Sequence, residues 1–480
     1  MPALPLAFMT PTALFAAGAL AVAASSPATP GPAAVATAAL DPAEIDAIDG
    51  TVDSWSLRDI ISGVPATGTN TFGDAVSVSG HRIAIGAYNT PCPAPMTGIC
   101  GDAHVYDYRP GPGLTRYPVP SPDPSAGAAY GVSVAIDGDW LLVGAPGEHR
   151  SAGYAAGNVY LFHFVDGNWD PVPLQTPDEA GALLGQSVAV SASGLAVAGM
   201  PHQSRTTPPA LTNNGAVATF VRDAAGDWSY EGIVRAATPA SNAYFGSAVG
   251  LYTYVLPPGF LDGFGIAVGA PGTSVLGQPD AGEGYAFTRG HDDVQWTPAG
   301  FFNLGAAAHA DARFGAAAAI DGALVAFGSP GRIRIPGAPA AGSVYFARRS
   351  GTDWSTYAAY EVYGTQQDGA AFGSSIALQR DDAFVGAPDY VYATAGDGQV
   401  LHLHRTAGGP EHWDYVAYLV EYYPTENAHF GTSLALDGFR LAIGSPGSTL
   451  FGQPPTSDRV GMAYVYVANS IFADGFDGVE

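Results

Sequence analysis

The stretch YGVSVAIDGDWLLVGAP, residues 130–146, decides the fold. It opens on an aromatic-glycine pair, Tyr130-Gly131, and alternates large and small apolar residues through Val134, Ala135 and Ile136. It turns at Asp137-Gly138, becomes apolar again and stops at Gly144-Ala145-Pro146. Period-2 alternation on either side of Asp-Gly reads as a β-hairpin, because glycine accepts the positive φ that a tight type I′ turn needs. Proline has no N–H to give a ladder, so the second strand ends at Pro146.

The same pattern returns along the chain. Its openings are Phe72-Gly73, Tyr130-Gly131, Leu184-Gly185, Phe245-Gly246, Phe314-Gly315, Phe372-Gly373 and Phe430-Gly431, spaced by 58, 54, 61, 69, 58 and 58 residues. A loop then leads to a third apolar strand (Val159-Tyr160, Val344-Tyr345-Phe346). A tryptophan strand usually follows, at Trp169, Trp228, Trp296, Trp354 and Trp413. Four antiparallel strands repeated at this period mean stacked supersecondary units in one ring-like body, not a string of unrelated domains. The alternation predicts a first strand buried on both faces, as where propeller blades converge on an axis. The ends complement each other. The seventh unit lacks a tryptophan strand, and Trp55 stands before the first opening with no unit of its own. The spacing therefore predicts an N-terminal outer strand in the last blade, closing the ring.

The opening pair and the Gly-Ala-Pro triplet resemble the FG-GAP repeat of integrin α-subunit head domains and of many exported bacterial proteins. The resemblance spans residues 51–468. It implies an all-β, seven-bladed β-propeller, and a role in adhesion and ligand binding. Calcium-binding members carry an Asp-x-Asp-x-Asp-Gly run between the first two strands. Here that loop is a minimal turn such as Ile136-Asp137-Gly138-Asp139, too poor in oxygens for a six- to eight-coordinate ion. No metal site and no cofactor is expected, and calcium enters only through the family resemblance.

Composition narrows the partners. Net charge is −25, with 18 basic residues, all arginine, against 43 acidic ones. Such a surface repels phosphate backbones, so nucleic acid is excluded as the expected partner. The apolar run over 13–24, followed by small residues, reads as part of a signal peptide over residues 1–24, although no Lys or Arg precedes it. Residues 25–50 read as a flexible leader and 469–480 as a C-terminal tail. No stretch is long enough to span a membrane. The expectation is a secreted or cell-surface monomer. Cys92 and Cys100 share one proline-rich loop and read as a local disulfide in an oxidising compartment. A zinc site would need ligands that two thiols do not supply, and two unpaired thiols are the remaining alternative.

The long loops after the triplets should share one face of the disc with the loops entering each opening pair. Variable loops on a rigid scaffold are the usual place for binding. Tyr88, Tyr154 and Tyr390 are the candidate ligand-binding residues there, for a glycan or protein ligand, with Tyr130, Tyr244, Tyr423 and Phe451 nearby. Packing over the blade ends is the alternative for each ring. His402 and His404 alternate on one strand and share a face, but no third metal ligand is evident. The tryptophans read as core, with Trp140 partly exposed after its turn. A longer hairpin around residues 252–264 sets blade four apart. No nucleophile-base set, carboxylate pair or phosphate loop stands out as catalytic. A non-enzymatic binding or adhesion propeller is therefore expected. A carbohydrate- or peptide-active enzyme with its site at the channel mouth, and a structural envelope or matrix component, are the alternatives.

Overall fold

A computed structural model describes residues 55–63, 71–108, 114–254, 263–291, 293–334, 340–349, 357–364, 367–405, 412–449 and 459–468. The expected signal peptide, leader and tail lie outside these residues, as do Trp354 and Phe451. Twenty-eight strands form seven four-stranded antiparallel sheets. Numbering strands a to d outward from the axis, blade two runs Ser133–Asp137, Trp140–Ala145, Asn158–Val165 and Asn168–Val172. Blade five runs Ala317–Asp321, Leu324–Ser329, Ser343–Arg349 and Tyr357–Tyr363, and blade six Ser375–Gln379, Asp382–Ala387, Gln399–Arg405 and Trp413–Val420. Blade seven takes strands a to c from Ser433–Asp437, Arg440–Ser445 and Met462–Ala468. Its strand d is Trp55–Ser62, from the start of the described chain.

The repeated glycines sit where blades touch. The Gly131 N–H donates to the Gly144 carbonyl at 2.9 Å, and the equivalent bond recurs in every blade, as in Gly73 to Gly86 and Gly431 to Gly444. A Cβ on Gly144 would lie 2.0 Å from the Gly185 carbonyl of blade three, and one on Gly444 would lie 1.8 Å from that of Gly73. Only glycine leaves room for this approach. Each opening residue also bridges in parallel to the glycine heading strand c of the preceding blade, for example Tyr130 to Gly101 and Phe72 to Gly461. The opening side chains are wholly buried, from Phe72 at 1% exposed to Phe430 at 0%. Burying each large ring contributes about 1.5–3 kcal/mol before entropy is counted.

One expectation is corrected. Strand a is not buried on both faces in every blade. Ala248–Tyr254 and Ser433–Asp437 are half-buried throughout, whereas strand b is buried at every position in blades one to five. Strand a is the inner edge of its sheet, facing the axis. Strand b is covered by neighbouring strands on both sides as well as by adjacent blades.

The N-terminal clasp is present. Trp55 pairs with Ala468, Leu57 with Tyr466 and Ser62 with Met462. The Trp55 ring stands edge-on to Phe384 of blade six at 5.1 Å, and it is 5% exposed. The strand thus fills an apolar layer between blades six and seven as well as completing a ladder.

At the a–b turns a second set of contacts runs round the ring. Asp437 accepts from the Gly80 N–H at 2.6 Å, Ser79 from Gly138 at 2.9 Å, and Asp137 from Ala192 at 2.8 Å. The Ser191 and Thr253 hydroxyls lie 2.8 Å apart, and the Tyr254 hydroxyl donates to the Gly322 carbonyl at 3.0 Å. Asp321 accepts from the Arg380 N–H, and Gln379 accepts from Gly438 at 2.7 Å. Every blade junction is bridged.

Other expectations resolve individually. Cys92 and Cys100 form a disulfide. Trp55, Trp169, Trp228 and Trp413 are buried, and Trp296 is partly buried. Trp140 is also buried, at 7% exposed, contrary to its expected partial exposure. The His163 ring stacks on it at 4.1 Å, and the Arg222 guanidinium covers it at 4.9 Å. In blade four, strands Ala248–Tyr254 and Gly263–Ala270 pair out to Tyr254 and Gly263, so the insertion extends a hairpin.

Candidate binding face

Each b–c loop and each d–a connection lies on the face opposite the a–b turns, because the four strands alternate in direction. Tyr154 sits in the b–c loop of blade two and is 74% exposed, its ring edge-on to His149 at 4.6 Å. Tyr88 is partly buried at the start of the disulfide-bearing loop of blade one. Tyr390 is partly buried against the core shared by blades five and six, and borders a cleft between those blades. The three tyrosines therefore share a face but stand on blades one, two and six. Of the neighbouring rings, Tyr130 is wholly buried, its hydroxyl donating to the Val119 carbonyl at 2.9 Å. Tyr244 packs against His202, with centroids 5.1 Å apart.

Beneath the loops lies a set of tyrosine–carboxylate bonds. The Tyr160 hydroxyl donates to Glu148 at 2.7 Å, Tyr285 to Glu283 at 2.6 Å, Tyr363 to Glu361 at 2.8 Å, and Tyr464 to Glu421 at 3.0 Å. Burial pushes the Glu148 and Glu283 carboxyls above their ordinary range, partly opposed by the tyrosine bonds. Burial carries Glu421 furthest, up to about 7, against hydrogen bonds from Ser448, the Thr425 N–H, Tyr464 and Ser445. The sequence signal was visible: Tyr160, Tyr285 and Tyr464 occupy one phase of strand c. Their acidic partners come from different segments, so no fixed spacing announces them.

His402 and His404 do share a face, and both rings contact the same Asp382 oxygen, at 2.8 and 2.9 Å. His402 is buried and stacks on Phe384 at 4.4 Å. Asp382 is held below its ordinary range: burial raises it, but the two histidine bonds and charges outweigh that. Among the described residues no group of three or more His, Cys, Asp or Glu side chains is arranged to hold a metal ion. Asp137, Asp321 and Asp437 already accept backbone N–H groups of neighbouring blades. These carboxylates serve the junctions between blades.

Arg332, in the b–c loop of blade five, donates to Glu361 at 2.9 Å. Arg334 lies over the Tyr363 ring at 5.3 Å, and Arg349 over the Tyr254 ring at 5.3 Å, in the extended hairpin of blade four. No helix among the described residues is long and apolar enough to cross a membrane.

Residues 120–162, blade two with its approach segment, match the family model described as FG-GAP repeat. No curated protein matches the chain.

Proposed function

We propose that this chain, an FG-GAP repeat β-propeller protein, is an exported, non-enzymatic binding or adhesion protein that recognises an extracellular glycan or protein on its long-loop face. The observation that carries the reading is an asymmetry between the two faces. The a–b turns spend their polar groups on one another at every blade junction. The loop face instead presents exposed rings, Tyr154 above all, on loops that differ from blade to blade. Rigid scaffold below and variable aromatic loops above is the arrangement binding surfaces use. The disulfide supports an oxidising location, and the resemblance to exported repeat proteins supports secretion or surface display.

Glycan and matrix-protein arrays, run beside a hydrolase panel, test this. Saturable binding without turnover, weakened by Tyr154→Ala or Tyr390→Ala, is expected. Turnover of any panel substrate, abolished by changing one carboxylate at the channel mouth, would replace the reading with an enzymatic one. Absence of both would leave a structural component.

A further inference from the structure

The cleft beside Tyr390 is lined by several exposed tyrosines. It lies between strand d of blade five and strands c and d of blade six, with a volume of about 780 Å³, within the range of small-ligand sites. Tyr392, Tyr415 and Tyr418 line it and are 51%, 56% and 39% exposed. Tyr392 and Tyr418 lie 6.1 Å apart, from a loop and a strand respectively. In an unbroken strand, Tyr415 and Tyr418 would point to opposite faces. The ladder between strands c and d of blade six shifts register between His402 and Leu403, and Tyr418 then pairs with Leu401 and Tyr415 with Leu403. The extra residue turns both rings onto the cleft side, the re-aiming that a β-bulge accomplishes.

Gln399 lines the same cleft. It is 4% exposed, and its side-chain oxygen is buried with no hydrogen-bond partner. The first residue of strand c is satisfied within the protein in several other blades. Asn158 bonds Glu148 at 3.0 Å and Thr176 at 2.9 Å, Glu283 bonds Tyr285, and Ser343 bonds Glu361 at 2.9 Å. The Trp413 Nε1 in the same lining is likewise buried without a partner. An orphaned buried polar atom costs about 1–3 kcal/mol, so the persistence of an acceptor and a donor beside these rings points to hydroxyl-type partners supplied from outside.

Resting on the reading of a binding face, we propose that the cleft between blades five and six holds a neutral oligosaccharide. Sugar rings offer C–H faces to tyrosine rings and O–H donors to the Gln399 oxygen. A proline-rich peptide would also stack on the rings, but its prolines have no N–H to give that oxygen. Glu361 in the lining is paired with Arg332, and Arg334 stands beside it, so the lining carries no net positive charge, while the chain's net charge of −25 disfavours a polyanion.

The intact protein is titrated calorimetrically with cello-, manno-, xylo- and N-acetylchito-hexasaccharides, and with decaproline. At least one hexasaccharide is expected to bind. Tyr415→Ala or Tyr392→Ala should weaken it tenfold or more. Gln399→Leu should weaken it while leaving the melting temperature equal or higher, because it removes the orphan. Phe439→Ala, at the exposed a–b turn of blade seven on the opposite face, should leave it unchanged. No sugar binding, or binding of decaproline instead, overturns the proposal. Sugar binding lost with Tyr154→Ala but kept with Tyr415→Ala overturns the cleft while sparing the loop-face reading. Silence on the arrays as well removes both.

Discussion

Blades two and seven have the same four strands and differ in how the fourth arrives. In blade two, strand d follows strand c through the tight turn at Asp166-Gly167, where Val165 pairs with Asn168. In blade seven, it comes from the other end of the chain, and Trp55 meets Ala468 with no covalent link nearby. The carboxylates beneath differ in the same way. Glu148 belongs to the b–c loop of blade two itself. Glu421 follows strand d of blade six, yet it bonds Tyr464, Ser445 and Ser448 of blade seven. The lesson is that blade seven is assembled from two distant stretches of sequence and leans on a carboxylate following blade six, so contacts that are local in blade two are long-range there. Its stability depends on closure in a way that blade two's does not.

Deleting residues 55–62 breaks this comparison most severely. It exposes the apolar layer around Leu57, Ile60, Tyr464 and Tyr466 and leaves strand c of blade seven as an open edge. At about 1.5–3 kcal/mol per large buried side chain, the melting temperature should fall by more than about 10 °C. A synthetic peptide of the same residues should restore part of it in a saturable way. A melting temperature within about 2 °C of the parent would show that closure contributes little.

Next comes Gly444→Ala set against Gly144→Ala. Both place a Cβ at about 2 Å from a carbonyl of the next blade, and each should cost about 3 kcal/mol or more. Hydrogen exchange should separate them. In Gly444→Ala the strain lies at the seam between blades seven and one, and protection should be lost in residues 55–62. In Gly144→Ala that strand should stay protected.

Titration sharpens the comparison further. The Glu421 carboxyl sits near 7 in the folded chain against 4.5 in water. Between those values the folded state holds a proton that the unfolded state has released. Stability therefore falls as pH rises from about 4.5 to 7, and the loss is complete above that. The full difference is on the order of 3 kcal/mol. Glu421→Gln should flatten the melting profile between pH 5 and 8, whereas Glu148→Gln should change its slope less. An unchanged profile in Glu421→Gln would remove this carboxyl as the source.

The smallest expected effect is that of calcium. With the turn carboxylates engaged in blade-to-blade bonds, millimolar calcium should move the melting temperature by less than about 1 °C. A rise of several degrees at micromolar ion would reinstate the family's metal sites.

Much of the fold was legible because its determinants are local or repeated. The opening pairs and triplets are hydrogen-bonded partners across one hairpin, so their spacing reports the hairpin directly. Trp55 was legible as an outer strand because the last unit visibly lacked one. Distance in sequence hid the rest. Trp140 is covered by Arg222 of the next blade, which nothing near Trp140 announces. Asp137 looked like a turn residue alone, but its carboxylate belongs to the Ala192 N–H. Tyr415 and Tyr418 share a face only because of a bulge, and a period-2 reading places them apart. Strand direction places Tyr88, Tyr154 and Tyr390 on the loop face, whereas their separation onto three blades depends on ring geometry.

The clasp also sets an order of events. Ribosomes make residues 55–62 before any blade, yet their partner, 462–468, is made some four hundred residues later. This strand must wait for its partner while the intervening blades condense. Closure of the ring is therefore a late step whose pace is governed by the meeting of residues 55–62 with residues 462–468.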